Sequence, residues 1–229
     1  MIYKIINKGA VMPRWGMVID VKRCIACWGC TIACKEEHFL PPRVFFNRVL
    51  IGETGKFPSS SKLIYPVLCN HCTDAACVEA CPTGATYIRE DGIVVVDDEK
   101  CVGCRACLVS CPYQQRTYYD QKVKDREYFP GQGKTEFELI GEKLYPFKVG
   151  TVIKCNFCAE RLDDGLKKGL VPGKDEEATP ACVNACPVGA RVFGDLDDPD
   201  SEINRLIMEK KGKQLRKEFG TEPAVYYID

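Results

Sequence analysis

Sixteen cysteines stand in four runs of four along the 229-residue chain. They are Cys24, Cys27, Cys30 and Cys34; then Cys69, Cys72, Cys77 and Cys81; then Cys101, Cys104, Cys107 and Cys111; and last Cys155, Cys158, Cys182 and Cys186. The first and third runs read C-x2-C-x2-C-x3-C, the second reads C-x2-C-x4-C-x3-C, and the fourth is the second with its middle gap enlarged. Disulfides suit an oxidising compartment, and cysteines two residues apart are crowded for pairing with each other. Structural zinc wants two C-x2-C pairs set some distance apart, a shape that only the fourth run has. A 4Fe–4S cubane takes four thiolates: three closely spaced cysteines wrap it, and the fourth lies past a short turn and reaches a second cluster. Pro82, Pro112 and Pro187 directly follow the last cysteine of runs two, three and four, whereas Lys35 stands there in run one. The reading is four 4Fe–4S clusters held by all sixteen cysteines, with zinc at the fourth run as the open alternative.

Internal repeats say which cysteines share a cluster. Val18-Ile19-Asp20-Val21-Lys22-Arg23-Cys24 and Val95-Val96-Asp97-Asp98-Glu99-Lys100-Cys101 both read V-[IV]-D-x-x-[RK]-C. The stretch from Ala76 to Ala85 and that from Ala181 to Ala190 share the frame A-C-V-x-A-C-P-x-G-A. The chain thus holds two copies of a two-motif unit of the bacterial-ferredoxin kind. Runs two and three lie close together, so runs one and four pair across them. The expected fold is α+β: two ferredoxin-like two-cluster modules, the second inserted in the first, loop-rich with short hairpins and helices. The inner module is expected over residues 63–120 and the outer one over 1–62 and 121–229. The crossing rule then gives Cys24, Cys27, Cys30 and Cys186 to one cluster, and Cys34, Cys155, Cys158 and Cys182 to the second. Cys69, Cys72, Cys77 and Cys111 hold the third, and Cys81, Cys101, Cys104 and Cys107 the fourth. Pairing run one with two and run three with four also satisfies motif type, and stays open here.

The elements that must position these cysteines are short. Thr86-Tyr87-Ile88, a turn at Asp91-Gly92 and Ile93-Val94-Val95-Val96 read as a hairpin. Residues 161–168 read as a basic helix. Asp200 or Ser201 caps a C-terminal helix with the apolar stripe Ile203, Leu206, Ile207, ended by Gly212. Residues 35–66 and 113–154 read as loop-rich inserts without a core pattern, suited to gripping partners. His38 and His71 are the two histidines; His71 reads as a tolerated loop residue or a hydrogen-bond partner of a cluster sulfur. Trp28 and Tyr113 are expected to shield clusters from water. Arg116, Lys154, Arg161 and Arg191 lie near cysteines. Each oxidised cubane with four thiolates carries about −2, so four add roughly −8 to the chain. Those basic residues either offset that charge or are ordinary surface.

Lys plus Arg number 32 and Asp plus Glu 32, which argues against a nucleic-acid partner bound through a net basic field. No uncharged stretch approaches the ~20 apolar residues of a membrane span. Residues 1–15 lack an apolar signal core and a twin-arginine pair. No phosphate-binding loop, dinucleotide fingerprint or nucleophile with an adjacent base is present, so no catalytic residues are expected.

The four motifs, their order and the tail resemble the iron–sulfur (beta) electron-transfer subunits of the molybdopterin oxidoreductase, or dimethyl sulfoxide reductase, family. The tail is Gly194-Asp195-Leu196-Asp197-Asp198-Pro199 followed by Gly220-Thr221-Glu222-Pro223-Ala224-Val225-Tyr226-Tyr227. It is similar to the polysulfide, thiosulfate and arsenate reductase type. Some relatives carry tryptophan at the position of Cys104; here a full cubane is expected. The resemblance implies a non-catalytic electron-transfer subunit. Its partners would be a molybdenum- or tungsten-pterin catalytic subunit and a quinol-linked membrane subunit or a cytochrome, in anaerobic respiration. It also implies the extracytoplasmic face of the membrane, reached by co-export with the catalytic subunit, with cytoplasmic residence as the alternative. A free-standing polyferredoxin and a cytoplasmic hydrogenase or formate dehydrogenase subunit are the competing functions.

Overall fold

A computed structural model describes residues 12–229. The chain runs through strand β1 (Trp15–Asp20), helix α1 (Gly29–Glu37) and the paired strands β2 (Asn47–Thr54) and β3 (Ser61–Leu68). Next come α2 (Ala76–Glu79), the hairpin β4 (Thr86–Ile88) and β5 (Val94–Val96), and α3 (Ala106–Ser110). β6 (Thr117–Tyr119), α4 (Gln121–Lys124), α5 (Glu136–Leu144) and β7 (Thr151–Ile153) follow, then α6 (Ala159–Lys167), α7 (Ala181–Asn184) and β8 (Arg191–Asp195). The last elements are α8 (Glu202–Glu209), β9 (Lys213–Gln214) and β10 (Val225–Ile228). This is a mixed helix-and-strand fold of small sheets, and no helix among the described residues is long and apolar enough to cross a membrane.

The main sheet joins the two ends of the described chain. Met17, Val18 and Ile19 are all buried, so β1 must be covered on both faces and lie inside the sheet. It runs parallel to β10, with Met17 opposite Val225 and Asp20 opposite Ile228, and antiparallel to β8, with Trp15 opposite Asp195. On one face Met17 and Ile19 join Trp15, Phe157, Phe193, Val225 and Tyr227 in the principal core. On the other, Val18 and Ile228 receive Ile203 of α8. Ser201 caps that helix by accepting from the N–H of Asn204 at 3.4 Å, as its sequence suggests. Gly16 is required for close packing: a Cβ there would stand 2.5 Å from Leu196 Cδ1 and 2.8 Å from the Ala224 carbonyl.

The hairpin expected in the middle of the chain is present, with Thr86 opposite Val96 and Ile88 opposite Val94. Ile93 belongs to the turn and not to the strand, because Arg89 N–H donates to its carbonyl and Asp91 Oδ1 accepts from its N–H. The inserts are more ordered than the sequence suggests. Residues 35–66 contribute to an antiparallel ladder that pairs Asn47 with Leu68 and Thr54 with Ser61. Its base is buried and its tip exposed on both faces, so no period-two alternation marks it. Residues 113–154 hold the β6–β7 pair and bring Tyr119, Val123 and Ile153 to the core. They also hold α5, which opens on a reciprocal capping box between Thr135 and Glu138.

Candidate metal centres

Each cysteine loop is folded by residues in the left-handed region. In run one these are Ala26 (φ 56°) and Trp28 (φ 63°); in run three, Gly103 (φ 65°) and Arg105 (φ 64°) occupy the same two positions. The matching strain bends both C-x2-C-x2-C loops back on themselves, so three sulfurs face one space. At Gly103 the bend admits no side chain, because a Cβ would collide with the Gly150 carbonyl. Runs two and four share a different device: His71 (φ 44°) and Phe157 (φ 55°) both precede the second cysteine. After the last cysteine both follow C-P-x-G-A, with Gly84 at φ 64° and Gly189 at φ 58°. That turn aims backbone N–H groups at sulfur: Ala190 donates to Cys186 Sγ at 3.2 Å and Thr86 to Cys81 Sγ at 3.4 Å. Run one has no such turn. Helix α1 continues past Cys34, and Lys35 Nζ binds the carbonyls of Leu40, Pro41 and Val44 at 3.1, 3.0 and 3.1 Å.

The structure bears on the four expected tetrads through two cavities and through the influence of thiols on one another. Cys24, Cys27, Cys30 and Cys186 line one cavity with Trp28, Val49, Pro66 and Val188; this is the first tetrad. Burial first, then Cys155, Cys182 and Cys158, holds the Cys34 thiol up, with Arg191 opposing them; these four are the expected second tetrad. Burial first, then Cys69, holds the Cys72 thiol up, with Cys77 and Cys111 adding to it and Thr221 opposing them; these four cysteines are the expected third. Cys81, Cys101, Cys104 and Cys107 line another cavity with Thr86, Val102 and Arg105, the fourth. Each expected tetrad draws three cysteines from one run and one from another.

The donor set tests which metal fits. Two of the expected sets, Cys24, Cys27, Cys30 and Cys186 and then Cys81, Cys101, Cys104 and Cys107, each line one cavity together with apolar residues, a lining of four thiols that suits a cubane. Burial resists ionisation of the bare thiols, so iron must displace tightly held protons. Burial first, then Cys69, pushes Cys72 up to about 12; burial first, then Cys69 and Cys182, pushes Cys155 up to about 12. Cys81 is the exception. Burial opposes its charge, but the Thr86 N–H and the Thr83 hydroxyl outweigh it and bring the thiol down to about 7. Cys27 and Cys104, at equivalent positions of runs one and three, are the exposed cysteines.

Several side chains around the tetrads have contacts that the sequence does not announce. His38 is buried, and its Nε2 lies 3.3 Å from Cys158 Sγ. Its rim is aromatic, with the Phe46 and Tyr145 rings 5.7 and 5.4 Å away. The signal available was its place four residues after Cys34, at the end of the same helix. His71 bonds no sulfur; it is buried, stacks on Phe157 at 3.8 Å and accepts the Val94 N–H on Nδ1 at 3.1 Å. It is therefore a buried packing residue between runs two and four, where the sequence allows a tolerated loop residue or a partner of a cluster sulfur. Arg161 turns away to Glu37 and the carbonyls of Thr179 and Glu176. Arg116, Lys154 and Arg191 are buried beside the tetrads. Trp28 lines the first cavity, and the Tyr113 hydroxyl reaches Thr221 Oγ1 at 2.6 Å.

Comparison with known proteins places these features among iron–sulfur proteins. Residues 61–127, which contain runs two and three, match the 4Fe-4S dicluster domain. The chain is 37% identical to a selenate reductase subunit of Mesobacillus selenatarsenatis, over 94% of the chain and 72% of the relative. It is 36% identical to the arsenate respiratory reductase iron–sulfur subunit of a Shewanella species, over 94% and 96%. It is 34% identical to a polysulfide reductase component of Wolinella succinogenes, over 94% of each.

Proposed function

Because the chain belongs to the iron–sulfur subunits of the molybdopterin oxidoreductase family, we propose that it is the electron-transfer subunit of an anaerobic respiratory complex, with four 4Fe–4S clusters held by the four tetrads. The observation that carries this reading is that cysteines of different runs share cavities: Cys186 lines one with Cys24, Cys27 and Cys30, and Cys81 lines another with Cys101, Cys104 and Cys107. The same sharing between runs supports an inner two-cluster module nested in an outer one. When bound, each cluster supplies a one-electron couple. The chain's own contribution is to hold sixteen thiolates in place, to keep water from the second tetrad, all of whose cysteines are buried, and to direct N–H groups at sulfur. It contributes no substrate site.

One partner is a pterin-containing catalytic subunit; the other is a quinol-linked membrane subunit or a cytochrome. Both ends of the row of tetrads suit docking. Ile25, Trp28 and Ile32 are exposed around the first, and Val102 and Val109 around the fourth. Large exposed apolar residues beside an exposed cluster ligand mark a surface that another protein covers. The complex works at the extracytoplasmic face of the membrane after co-export with the catalytic subunit. The test is native anaerobic purification with iron and sulfide analysis. About 16 of each per chain, with a larger pterin protein in tight complex, is expected. About 12 iron with one zinc would overturn the four-cluster assignment, and purification alone with all clusters intact would make the chain a free polyferredoxin.

A further inference from the structure

Three lysine or arginine residues are buried among the described residues: Arg116, Lys154 and Arg191, at 9%, 6% and 4% exposure. Burying a cation without a counter-charge is unfavourable, yet none of the three forms an ion pair with a carboxylate among those residues. Arg116 and Arg191 reach sulfur instead, and Lys154 reaches the carbonyls of Val94 and Cys155.

Arg116 Nη2 donates to Cys77 Sγ at 2.9 Å, and Nη1 donates to Thr86 Oγ1 at 3.2 Å. Cys77 belongs to the third tetrad, while Thr86 lines the cavity of the fourth and donates its N–H to Cys81 Sγ at 3.4 Å. Arg191 Nη2 is fixed by Asn47 Oδ1 at 2.8 Å, and Nη1 lies 3.8 Å from Cys182 Sγ. Cys182 belongs to the second tetrad, and Arg191 also lines the cavity of the first. Lys154 Nζ donates to the Val94 carbonyl and, at 2.7 Å, to the Cys155 carbonyl. Cys155 belongs to the second tetrad, and the N–H of Val94 donates to Nδ1 of His71, which lies between Cys69 and Cys72 of the third. Three cations thus occupy three successive gaps: Arg191 between the first and second tetrads, Lys154 between the second and third, and Arg116 between the third and fourth. Arg116 and Arg191 each lie five residues beyond the last cysteine of a run, so their placement follows from the same turn that directs that cysteine.

We propose that Arg191, Lys154 and Arg116 are gap cations, one between each pair of neighbouring clusters, and that each raises the reduction potential of both clusters it separates. This rests on the assignment of the sixteen cysteines to four clusters. Adding an electron to a group already near −2 beside another of like charge is penalised strongly in a poorly screened interior. A fixed positive charge in the gap offsets that penalty on both sides at once. Without it the two middle clusters, each with charged neighbours on both sides, would be the hardest to reduce.

The experiment uses the intact complex, purified anaerobically, with Arg116→Gln, Arg191→Gln and Lys154→Gln and their charge-keeping counterparts Arg116→Lys, Arg191→Lys and Lys154→Arg. Iron content and the number of cluster signals test the four-cluster assignment. Potentiometric titration followed by electron paramagnetic resonance tests the gap cations. Each Gln variant is expected to lower the midpoint potentials of two clusters and leave the other two in place. The pairs moved by Arg116→Gln and Arg191→Gln share no member, and the pair moved by Lys154→Gln takes one from each. The charge-keeping variants return the potentials to wild type. Four intact signals with no potential moved, all four moved alike, or equal shifts in the Gln and charge-keeping variants would overturn the proposal. If a Gln variant loses iron, its charge-keeping counterpart decides. Full iron and wild-type potentials there uphold the charge role; iron lost there too shows that only the shape of the side chain matters, and the proposal fails.

Discussion

His38 Nε2 lies 3.3 Å from Cys158 Sγ across 120 residues of sequence. Burial holds the imidazole below the ordinary histidine range, against the pull of Glu160 and Glu37. A thiolate sulfur only accepts, so a proton sits on Nε2, while Nδ1 has no hydrogen-bond partner. Hydrogen bonds to cluster sulfur raise reduction potential. His38→Phe is therefore expected to lower the potential of the cluster assigned to Cys34, Cys155, Cys158 and Cys182. The shift should be on the order of 60 mV, the one-electron equivalent of about 1.4 kcal/mol. Potentiometric spectroscopy measures it, and an unchanged potential with all iron retained would remove the hydrogen bond from the account.

Cluster assembly should depend steeply on pH. A thiol whose pKa is raised holds its proton more tightly, so at a given pH less thiolate is available and protons compete better with iron. Cys72 and Cys155 are both pushed up to about 12. Anaerobic reconstitution of the apoprotein should quicken from pH 7 to pH 9, by up to about tenfold per unit while a single deprotonation limits the rate. Visible absorbance follows it, and a rate flat across that range would show that deprotonation of these thiols is not limiting.

Alanine and glycine should have opposite effects at one loop position. Ala26 and Gly103 occupy equivalent places in runs one and three, both at positive φ. Ala26→Gly relieves strain and should be neutral or stabilising by up to about 1 kcal/mol. Gly103→Ala forces a Cβ onto the Gly150 carbonyl, which is backbone and cannot step aside. It should cost about 1–3 kcal/mol and loosen the cluster assigned to Cys81, Cys101, Cys104 and Cys107. Anaerobic thermal unfolding with iron analysis compares the two, and equal effects would mean that the loops are not conformationally equivalent.

The contrast between these loops shows what the sequence discloses. Cysteine spacing is set by the need to bring four sulfurs around one space, so the sulfur runs and the Pro-x-Gly turns after Cys81 and Cys186 are visible in the chain. The hairpin at Thr86–Val96 is visible because Asp91-Gly92 is a strong turn signal between apolar strands. The β2–β3 ladder is not, since its tip is exposed on both faces and leaves no alternation. The capping box at Thr135 and Glu138 was readable and marks a helix inside an apparent insert. His38 and the gap cations are harder. Their roles depend on contacts such as His38 with Cys158 and Arg191 with Asn47, 120 and 144 residues apart, which no local pattern encodes.

Nesting of the two modules is tested at Cys186. This residue lines the cavity of Cys24, Cys27 and Cys30, although its nearest cysteine in sequence, Cys182, helps hold the Cys34 thiol up. Cys186→Ala should lower iron from about 16 to about 12 per chain and remove the signal of the first cluster alone. If the lost signal is instead the one that responds to His38→Phe, Cys186 serves the second tetrad and the crossing assignment is wrong.

The direction of docking is the remaining question. The first tetrad lies beside exposed Ile25, Trp28 and Ile32, and Cys27 is itself exposed. The fourth has the equivalent exposed Cys104 with Val102 and Val109. Both ends are therefore open to a partner, and they differ in shape. Beside the first, the β2–β3 ladder contributes Val49 and Pro66 to the cavity wall, and its exposed tip carries Leu50, Ile51 and Leu63. A broad apolar flank of this kind suits a large, permanent partner better than a transient one. The catalytic subunit is expected at the first tetrad and the membrane-side partner at the fourth. Cross-links from the large subunit should fall on residues 22–32 and the tip of the β2–β3 ladder. Replacing Ile32 by Glu should weaken the complex by at least about tenfold, roughly the 1.4 kcal/mol that one lost apolar contact can supply, while iron content stays at wild type. Cross-links concentrated on residues 102–109, with Ile32→Glu silent and Val109→Glu disruptive, would reverse the assignment of the two ends.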